Sequence, residues 1–251
     1  MKTRSTLILT LVAGTLVFVG VLALYLPASW FASMLPPQVR CKELGGSIWH
    51  GECLGLAFEG SQFGDATWNL SPLAALTGRL SGDVDVRGGA LIARADLNVR
   101  PSGAGEVTNL SAQFPVDPAF MKQFPRNQRG LIAAQFARVE LAAGGLPRLL
   151  QGNVEMRDFR QVGSRPLDLG SYRLVFDGKP SAEGVNTGKL NDIGGPFGVD
   201  GNVTFTPPNT YVIQGFITGR TPEAQGIVRE ITLGAPPDAA GRSQFSFENS
   251  F

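Results

Sequence analysis

The sequence predicts a mainly β protein: an N-terminal transmembrane helix, then one large curled antiparallel β-sheet, a half-pipe or sandwich, with a few short helices. Three observations predict this class. Residues 5–26 form an uncharged apolar stretch. Beyond them, many short segments alternate apolar and polar residues, which is typical of strands with one buried face. Turn residues separate these segments, and Gly is frequent, with 32 residues.

The apolar stretch from Ser5 to Leu26 has the properties of a membrane anchor. As a helix it is about 33 Å long, enough for a hydrocarbon core of roughly 30 Å. Lys2 and Arg4 precede it, so the positive-inside rule places the N-terminus in the cytoplasm and the rest of the chain across the membrane. We expect the anchor to use Leu7, Leu11, Leu16, Phe18, Val21, Leu24 and the interfacial Trp30.

A cleaved signal peptide is the alternative interpretation of the same stretch. Signal peptides carry an apolar core of about 7–15 residues before a small-x-small cleavage site. Here the apolar run is longer, and no clear site stands at the right distance around residues 26–29. This favours an uncleaved anchor and divides the chain into a cytoplasmic tip (1–4), an anchor (5–26), a membrane-proximal linker (27–40) and an exported β domain (41–251).

Charge and cysteine content restrict the partners and the compartment. The chain has 22 Lys and Arg against 21 Asp and Glu, without a basic run, so we expect no nucleic-acid partner. Cys41 and Cys53 lie close together after the anchor, and on the oxidising side of the membrane such a pair predicts a disulfide. Two free buried thiols are the alternative. A metal site is less favoured, because His50 is the only histidine.

The period-two pattern is clearest in two segments. Along residues 91–100 every odd position is apolar and, after Ile92, every even position is polar, and residues 197–205 repeat the pattern. Turn signals such as Gly88-Gly89 and Gly194-Gly195 recur every 8–15 residues, so we expect about a dozen strands.

Helical signals are few and short. Ser71-Pro72 and Thr221-Pro222 each place a capping residue before a proline, predicting helices that end before Gly78 and near Arg229; residues 117–121 carry a third signal. None of these helices could cover so large a sheet. The sheet must therefore bury its apolar face by folding on itself, as a sandwich, a curled half-pipe or a barrel.

A weak internal similarity links residues 72–80 to residues 147–154. Each copy has a proline, a short apolar segment and a glycine before a predicted strand. We treat a duplication and a chance match as open alternatives. No linker separates the two halves, which predicts one domain.

The sequence contains no constellation that predicts catalysis. It has no G-x-S-x-G elbow and no phosphate-binding loop. Asp83 and Asp85 are two residues apart on a predicted strand and are best explained as part of a solvated polar face. We therefore expect no enzymatic activity and no cofactor.

Short motifs spread in order along nearly the whole chain carry a family resemblance. They are the anchor ending near Trp30, GSIWHG at 46–51, WNLSP at 68–72, LTGRL at 76–80, GGLP at 144–147, GGPF at 194–197, and the late pairs Leu233-Gly234 and Gly241-Arg242. With these motifs the chain resembles protein N of the type II secretion system of Gram-negative bacteria. The cysteine pair departs from the general family pattern and is expected to mark a subgroup.

The resemblance implies a non-enzymatic accessory protein anchored once in the inner membrane, with its bulk in the periplasm. Its implied partners are inner-membrane secretion components, such as the C, L and M proteins, and the outer-membrane secretin. Edge strands are natural docking sites, and we expect the edges at the first strand after Cys53 and at Ser243–Phe247.

An alternative function follows from the expected architecture. An anchored, glycine-rich, curled sheet with an apolar concave face is similar to periplasmic lipid-handling proteins of the AsmA type. Such a face would bind inner-membrane lipid if it is open as a groove, and would serve only as a core if it is closed. If the face is a lipid-binding groove, we expect a charge among its apolar residues, such as Val99→Glu, to abolish lipid binding.

Overall fold

The structure is a computed structural model. It describes residues 14, 15, 18, 20–22, 24–34, 37–58, 60–117, 125–179, 184–207, 210–232, 234 and 236–250. Within these residues the chain forms a 3-10 helix at Ala28–Met34, α1 at Pro72–Ala75 and α2 at Pro222–Ile231. Residues 14, 15, 18, 20–22 and 24 are also helical. Among the residues described, no helix combines the length and the apolar character needed to cross a membrane.

Fourteen strands make up the rest of the described fold. Those of the N-terminal half are β1 (Val39–Arg40), β2 (Glu43–Gly46), β3 (His50–Phe58), β4 (Ser61–Leu70), β5 (Leu80–Arg87), β6 (Ile92–Val99) and β7 (Gly105–Val116). Those of the C-terminal half are β8 (Gln128–Leu141), β9 (Pro147–Gln161), β10 (Leu167–Asp177), β11 (Asn186–Gly194), β12 (Phe197–Thr206), β13 (Thr210–Gly219) and β14 (Ser243–Ser250).

All fourteen strands belong to one antiparallel sheet. From β3 to β14 each strand pairs with the next along the chain, and both β1 and β2 pair with β3. The path ends at β1 on one side and at β14 on the other, so the sheet is open. The prediction of one large antiparallel sheet is confirmed; a second packed sheet, as in a sandwich, is not present in the described fold.

The pairing register assigns apolar and polar residues to opposite faces along the whole sheet. One row of directly paired residues, one from each strand from β2 to β14, contains no charged or hydrogen-bonding side chain apart from the disulfide cysteine: Leu44, Cys53, Ala66, Val86, Ala93, Ala112, Ala134, Val154, Leu174, Leu190, Gly201, Gly215 and Phe245. The neighbouring row on the other face is polar except at one position: Glu52, Thr67, Asp85, Arg94, Ser111, Gln135, Asn153, Val175, Lys189, Asn202, Gln214 and Ser246.

Two clusters of buried residues pack on different parts of the sheet. One cluster lies in the N-terminal strands around Cys53, Ala66 and Val86. The other forms where Ala224 and Val228 of α2 pack on Phe197 at the start of β12. Thr221 caps α2 by accepting a hydrogen bond from the Ala224 amide, so the predicted helix start is confirmed.

Two further predicted helices and the internal sequence similarity can be compared with the structure. The predicted helix after Ser71 is confirmed as α1, whereas most of the 117–121 segment lies outside the described residues. The sequence similarity between residues 72–80 and 147–154 does not extend to the local structure, because residues 72–75 form a helix and residues 147–154 lie within strand β9. The local pattern of proline, apolar residues and glycine is shared, but strand pairing along β8 and β10 overrides it in the second copy.

Candidate functional site

The apolar face of the sheet is open over the central strands. Across strands β8 to β13 it forms a groove of about 470 Å³, with Phe136, Val154, Leu174, Phe176 and Phe205 among its lining residues. Most members of the apolar row are only half-buried. The face therefore remains accessible here, which is the arrangement that distinguishes a binding groove from a closed core.

A ladder of aromatic rings crosses the open part of this face. Phe136, Phe176, Phe205, Tyr211 and Phe247 follow one another with ring centroids 6.0–6.3 Å apart. They come from strands β8, β10, β12, β13 and β14. The first three strands alternate with β9 and β11, so neighbouring rings there lie two strands apart, about 9.6 Å in a flat sheet.

Two glycines allow these rings to meet. Gly152 of β9 pairs with both Phe136 and Phe176, and a Cβ atom at this position would lie 2.9 Å from the Phe136 ring atom Cδ1. A Cβ atom on Gly188 of β11 would lie 2.8 Å from Cε1 of Phe176. The absence of side chains at these two positions lets rings from alternate strands lean towards each other and form the floor of the groove.

At one end, the groove is closed by residues of the connections between β8 and β9, β10 and β11, and β12 and β13. The buried Asn186 amide donates hydrogen bonds to the carbonyl oxygens of Pro147 (2.9 Å) and Gly184 (3.0 Å). Together with Leu146 and Pro207, these residues form the wall of the groove. A buried amide with both donors satisfied fixes the wall, so the groove is part of the folded structure.

Polar side chains lie on the same face at the other end of the strands from the groove wall, beside α2. Asp192 accepts a hydrogen bond from the Val199 amide (3.0 Å) and pairs with Arg220 (2.7 Å). Tyr172 lies opposite Asp192 and donates a hydrogen bond to the Leu169 carbonyl. Burial, reinforced by the nearby carboxylate of Asp192, raises the pKa of Tyr172 to about 12. The phenol therefore stays protonated and acts as a structural donor.

Strand β14 forms the C-terminal edge of the sheet. All of its residues pair with β13 in regular register, and no described strand pairs with its other side. It has neither proline nor lysine, and Glu248 is its one charged residue. Natural edge strands are commonly protected from pairing by proline, lysine or bulges. Because β14 has none of these, it has the properties of a docking edge. The prediction of an edge at Ser243–Phe247 is confirmed.

The N-terminal edge has the opposite construction. The second predicted edge, the first strand after Cys53, is wrong: β3 continues through this residue, and β1 and β2 cover its outer side. Cys41 lies between the two short strands and forms the expected disulfide with Cys53, with Cα atoms 5.4 Å apart. The disulfide thus fastens the chain that covers the edge of β3.

The other predicted site residues occupy different positions. Leu7, Leu11 and Leu16 lie outside the described residues. Phe18, Val21 and Leu24 are exposed on helical residues, and Trp30 is exposed on the 3-10 helix. His50 is exposed at the start of β3. The groove residues themselves were not predicted as a site, although the alternation that marks β10 and β12 contains Phe176 and Phe205.

Acidic residues show no arrangement for catalysis or metal binding in the described part of the chain. Asp83 and Asp85 share the polar face, and Asp85 forms an ion pair with Arg87 at 2.5 Å. No described group of three or more His, Cys, Asp or Glu residues could hold a metal ion.

Fold and surfaces together define an open single-sheet protein with an accessible apolar groove and an unpaired edge. Residues 37–246 match the family model for protein N of the type II secretion system, so the chain belongs to this family. No curated protein and no solved structure gives a significant match. The family identifies an accessory secretion component, of a kind that is generally non-enzymatic.

Proposed function

We propose that this protein is a non-enzymatic accessory component of type II secretion that is anchored once in the inner membrane and contacts other secretion components through its periplasmic β domain. The family match supports the secretion role. The N-terminal sequence supports the anchor, with Lys2 and Arg4 on the cytoplasmic side. The inner-membrane components and the secretin are the proposed partners.

The unpaired edge of β14 is the observation that carries the docking proposal. Alternate backbone N–H and C=O groups of an edge strand can pair with an incoming strand, which gives affinity without a dedicated pocket. The exposed polar-face side chains Gln244 and Ser246 lie along this edge. A partner strand added here would extend the sheet beyond its last strand.

A lysine at Ser246 tests this docking mode. Lysines protect natural edge strands from pairing, so Ser246→Lys should reduce photo-crosslinking from Gln244 to secretion components by roughly tenfold. Gln214→Lys is the matched control, because Gln214 pairs with Ser246 and is exposed on the same face but is flanked by strands on both sides. Equal loss of crosslinks in both variants, or in neither, would refute edge docking.

The proposed membrane topology, with a single uncleaved anchor and the β domain in the periplasm, can be tested separately. A reporter fused after Phe251 should be active only if it functions in the periplasm. Mass spectrometry should find the intact N-terminal segment on the mature protein. A mature protein that begins near Ser29 would show that the segment is a cleaved signal peptide.

The open groove favours lipid binding as a second candidate function. Its volume of about 470 Å³ and its aromatic floor suit an acyl chain, and its exposed lining surface is mostly apolar. Full-length protein extracted gently should then carry phospholipid in native mass spectrometry, and Val154→Glu in the groove should remove it.

Val99 lies outside the groove, so the sequence-based expectation that Val99→Glu abolishes lipid binding is replaced by Val154→Glu, and Val99→Glu becomes the matched control. Val99 lies in β6, pairs with Leu80 and Gly105, and is not among the residues that line the groove. Lipid retained by this variant and lost from Val154→Glu would locate the lipid in the groove. Lipid-free wild-type protein would instead leave docking as the role of the sheet.

A further inference from the structure

One end of the sheet is joined directly to the segment that follows the proposed anchor. In a meander, alternate connections lie at the same end of the strands, and residues 47–49, 71–79, 100–104 and 142–146 belong to one such end. We call it the proximal end. The Ile48 amide donates to the Leu26 carbonyl (3.0 Å), and Pro27 forms a β-bridge with Ser47. The chain leaving the anchor is therefore held against the proximal end.

The proximal end also carries the most exposed large apolar side chains described after residue 25. They are Leu76 (83% exposed), Leu73 (75%) and Trp30 (71%). Leu73 and Leu76 belong to α1 and its end, and this segment is well fixed: Ser71 caps α1, and the Leu70 amide donates to the Trp49 carbonyl at 2.5 Å. The two leucines are thus presented to the outside by a defined loop.

An arginine-rich cleft also lies at the proximal end, where Arg79 belongs to the same connection as Leu73 and Leu76. It has a volume of about 300 Å³, and Arg79, Arg100, Arg138 and Arg148 line it. Arg138 pairs with both carboxylates of the cleft, Glu106 at 2.7 Å and Glu140 at 2.8 Å.

The other three guanidinium groups form no ion pair within the described residues. With four arginines and two glutamates, the cleft carries an excess of positive charge. Guanidinium groups bind phosphate through paired hydrogen bonds, so the excess charge suits the headgroup region of an anionic bilayer.

We propose that the proximal end binds the anionic surface of the membrane in which the chain is anchored, with Leu73, Leu76 and Trp30 at the apolar boundary and Arg79, Arg100 and Arg148 at the lipid phosphates. This proposal rests on the proposed membrane attachment. Exposed apolar residues combined with basic residues are typical of interfacial contacts, and neither set alone gives stable binding. The contact would fix the orientation of the sheet relative to the bilayer and leave the β14 edge free along its length.

Fluorescence quenching in proteoliposomes tests the contact. Full-length Leu73→Cys and Ser164→Cys variants, each labelled with an environment-sensitive probe, are placed in vesicles of phosphatidylcholine or of an equimolar mixture with phosphatidylglycerol, containing a doxyl-labelled lipid. Ser164 is exposed in the β9–β10 connection, at the opposite end of the sheet. We expect several-fold stronger quenching at position 73 than at position 164. Equal quenching at both positions would overturn the proposal.

Arginine variants test the charge contribution. In the mixed vesicles, Arg100→Gln and Arg148→Gln should each shift the bound-to-unbound ratio of the labelled loop by roughly fivefold. Arg160→Gln and Arg165→Gln at the opposite end should leave it unchanged. Equal effects of all four variants would overturn a specific headgroup contact.

Flotation of the vesicles measures membrane attachment alone, and so distinguishes the bilayer contact of the proximal end from the proposed anchoring. Protein that fails to float refutes the membrane attachment itself. Protein that floats without quenching at position 73 keeps the attachment and refutes the bilayer contact of the proximal end, which would then be available to a protein partner.

Discussion

The two edges of the sheet differ in construction. At the N-terminal edge, β1 and β2 contain two and four residues, β3 has irregular register against β4 after Cys53, and a disulfide links the covering chain to β3. At the C-terminal edge, β14 contains eight residues in regular register with no such protection. Short strands, bulges and cross-links prevent edge pairing, whereas a long regular edge permits it. Of the two edges, β14 is therefore the one whose construction permits pairing with a further strand.

The largest expected effect comes from removing the disulfide. A Cys41→Ala/Cys53→Ala variant should lose about 3 kcal/mol of unfolding free energy, because the link closes a short loop and restricts the unfolded chain. Urea unfolding of the full-length protein in detergent measures this loss. The freed β3 edge should also increase self-association. If the variant unfolds at the same urea concentration as the wild type, the disulfide does not stabilise this edge.

A substitution at Glu155, in the middle of the sheet, serves as a reference for the effects at the two edges. Glu155 is only 6% exposed and binds Arg157 (2.5 Å) and Arg173 (2.8 Å). Glu155→Gln should lower the unfolding free energy by roughly 1 kcal/mol, a modest value because both arginines are about half exposed. In this variant, the difference in amide hydrogen exchange between the N-terminal edge and β14 should remain as in the wild type. A selective effect on β14 would contradict this expectation.

The same carboxylate predicts a pH dependence. Hydrogen bonds from Arg157, and then from Arg173, hold the pKa of Glu155 below its usual value despite opposing burial. Its stabilising contribution is therefore fully present above the unfolded-state pKa and is lost as the pH falls through the folded-state pKa. In acid, the unfolding free energies of wild type and Glu155→Gln should converge. A constant difference down to the lowest pH would show that charge is not the cause.

A smaller effect is expected where the chain enters β14. The Arg242 guanidinium lies 4.5 Å from the centre of the Phe216 ring and pairs with Asp238 at 2.8 Å. Arg242→Ala should increase amide exchange in β14 by roughly two- to fivefold, because a cation–π contact of this kind contributes about 0.5–1 kcal/mol. Exchange in β3 should not change. Equal acceleration at both edges would indicate a global loss of stability.

The smallest effect on stability is expected for Ser246→Lys. A surface substitution away from packed groups changes the unfolding free energy by no more than about 0.5 kcal/mol. The variant should therefore separate binding from folding: crosslinks to partners are lost while the urea midpoint is retained. A large shift of the midpoint would mean that position 246 serves the sheet itself rather than docking.

Much of the architecture follows from local sequence alone. Strict alternation in residues 91–100 and 197–205 determines two-faced strands, because successive side chains of a strand point to opposite faces. Ser71-Pro72 and Thr221-Pro222 determine the starts of α1 and α2, because a capping oxygen and a proline at the first helical position act within one turn. The close spacing of Cys41 and Cys53 predicts their disulfide.

Tertiary structure decided what the alternating pattern leaves undetermined. Alternation predicts which face is apolar, but it does not determine the partner of each strand, and only the register brings Phe136, Phe176 and Phe205 together across Gly152 and Gly188. The same holds for Arg79, Arg100 and Arg148, which lie in three different connections or strand starts and meet because the meander returns to the same end. Pairing between strands depends on contacts distant in sequence, so the groove, the covered N-terminal edge and the proximal end are properties of the folded sheet.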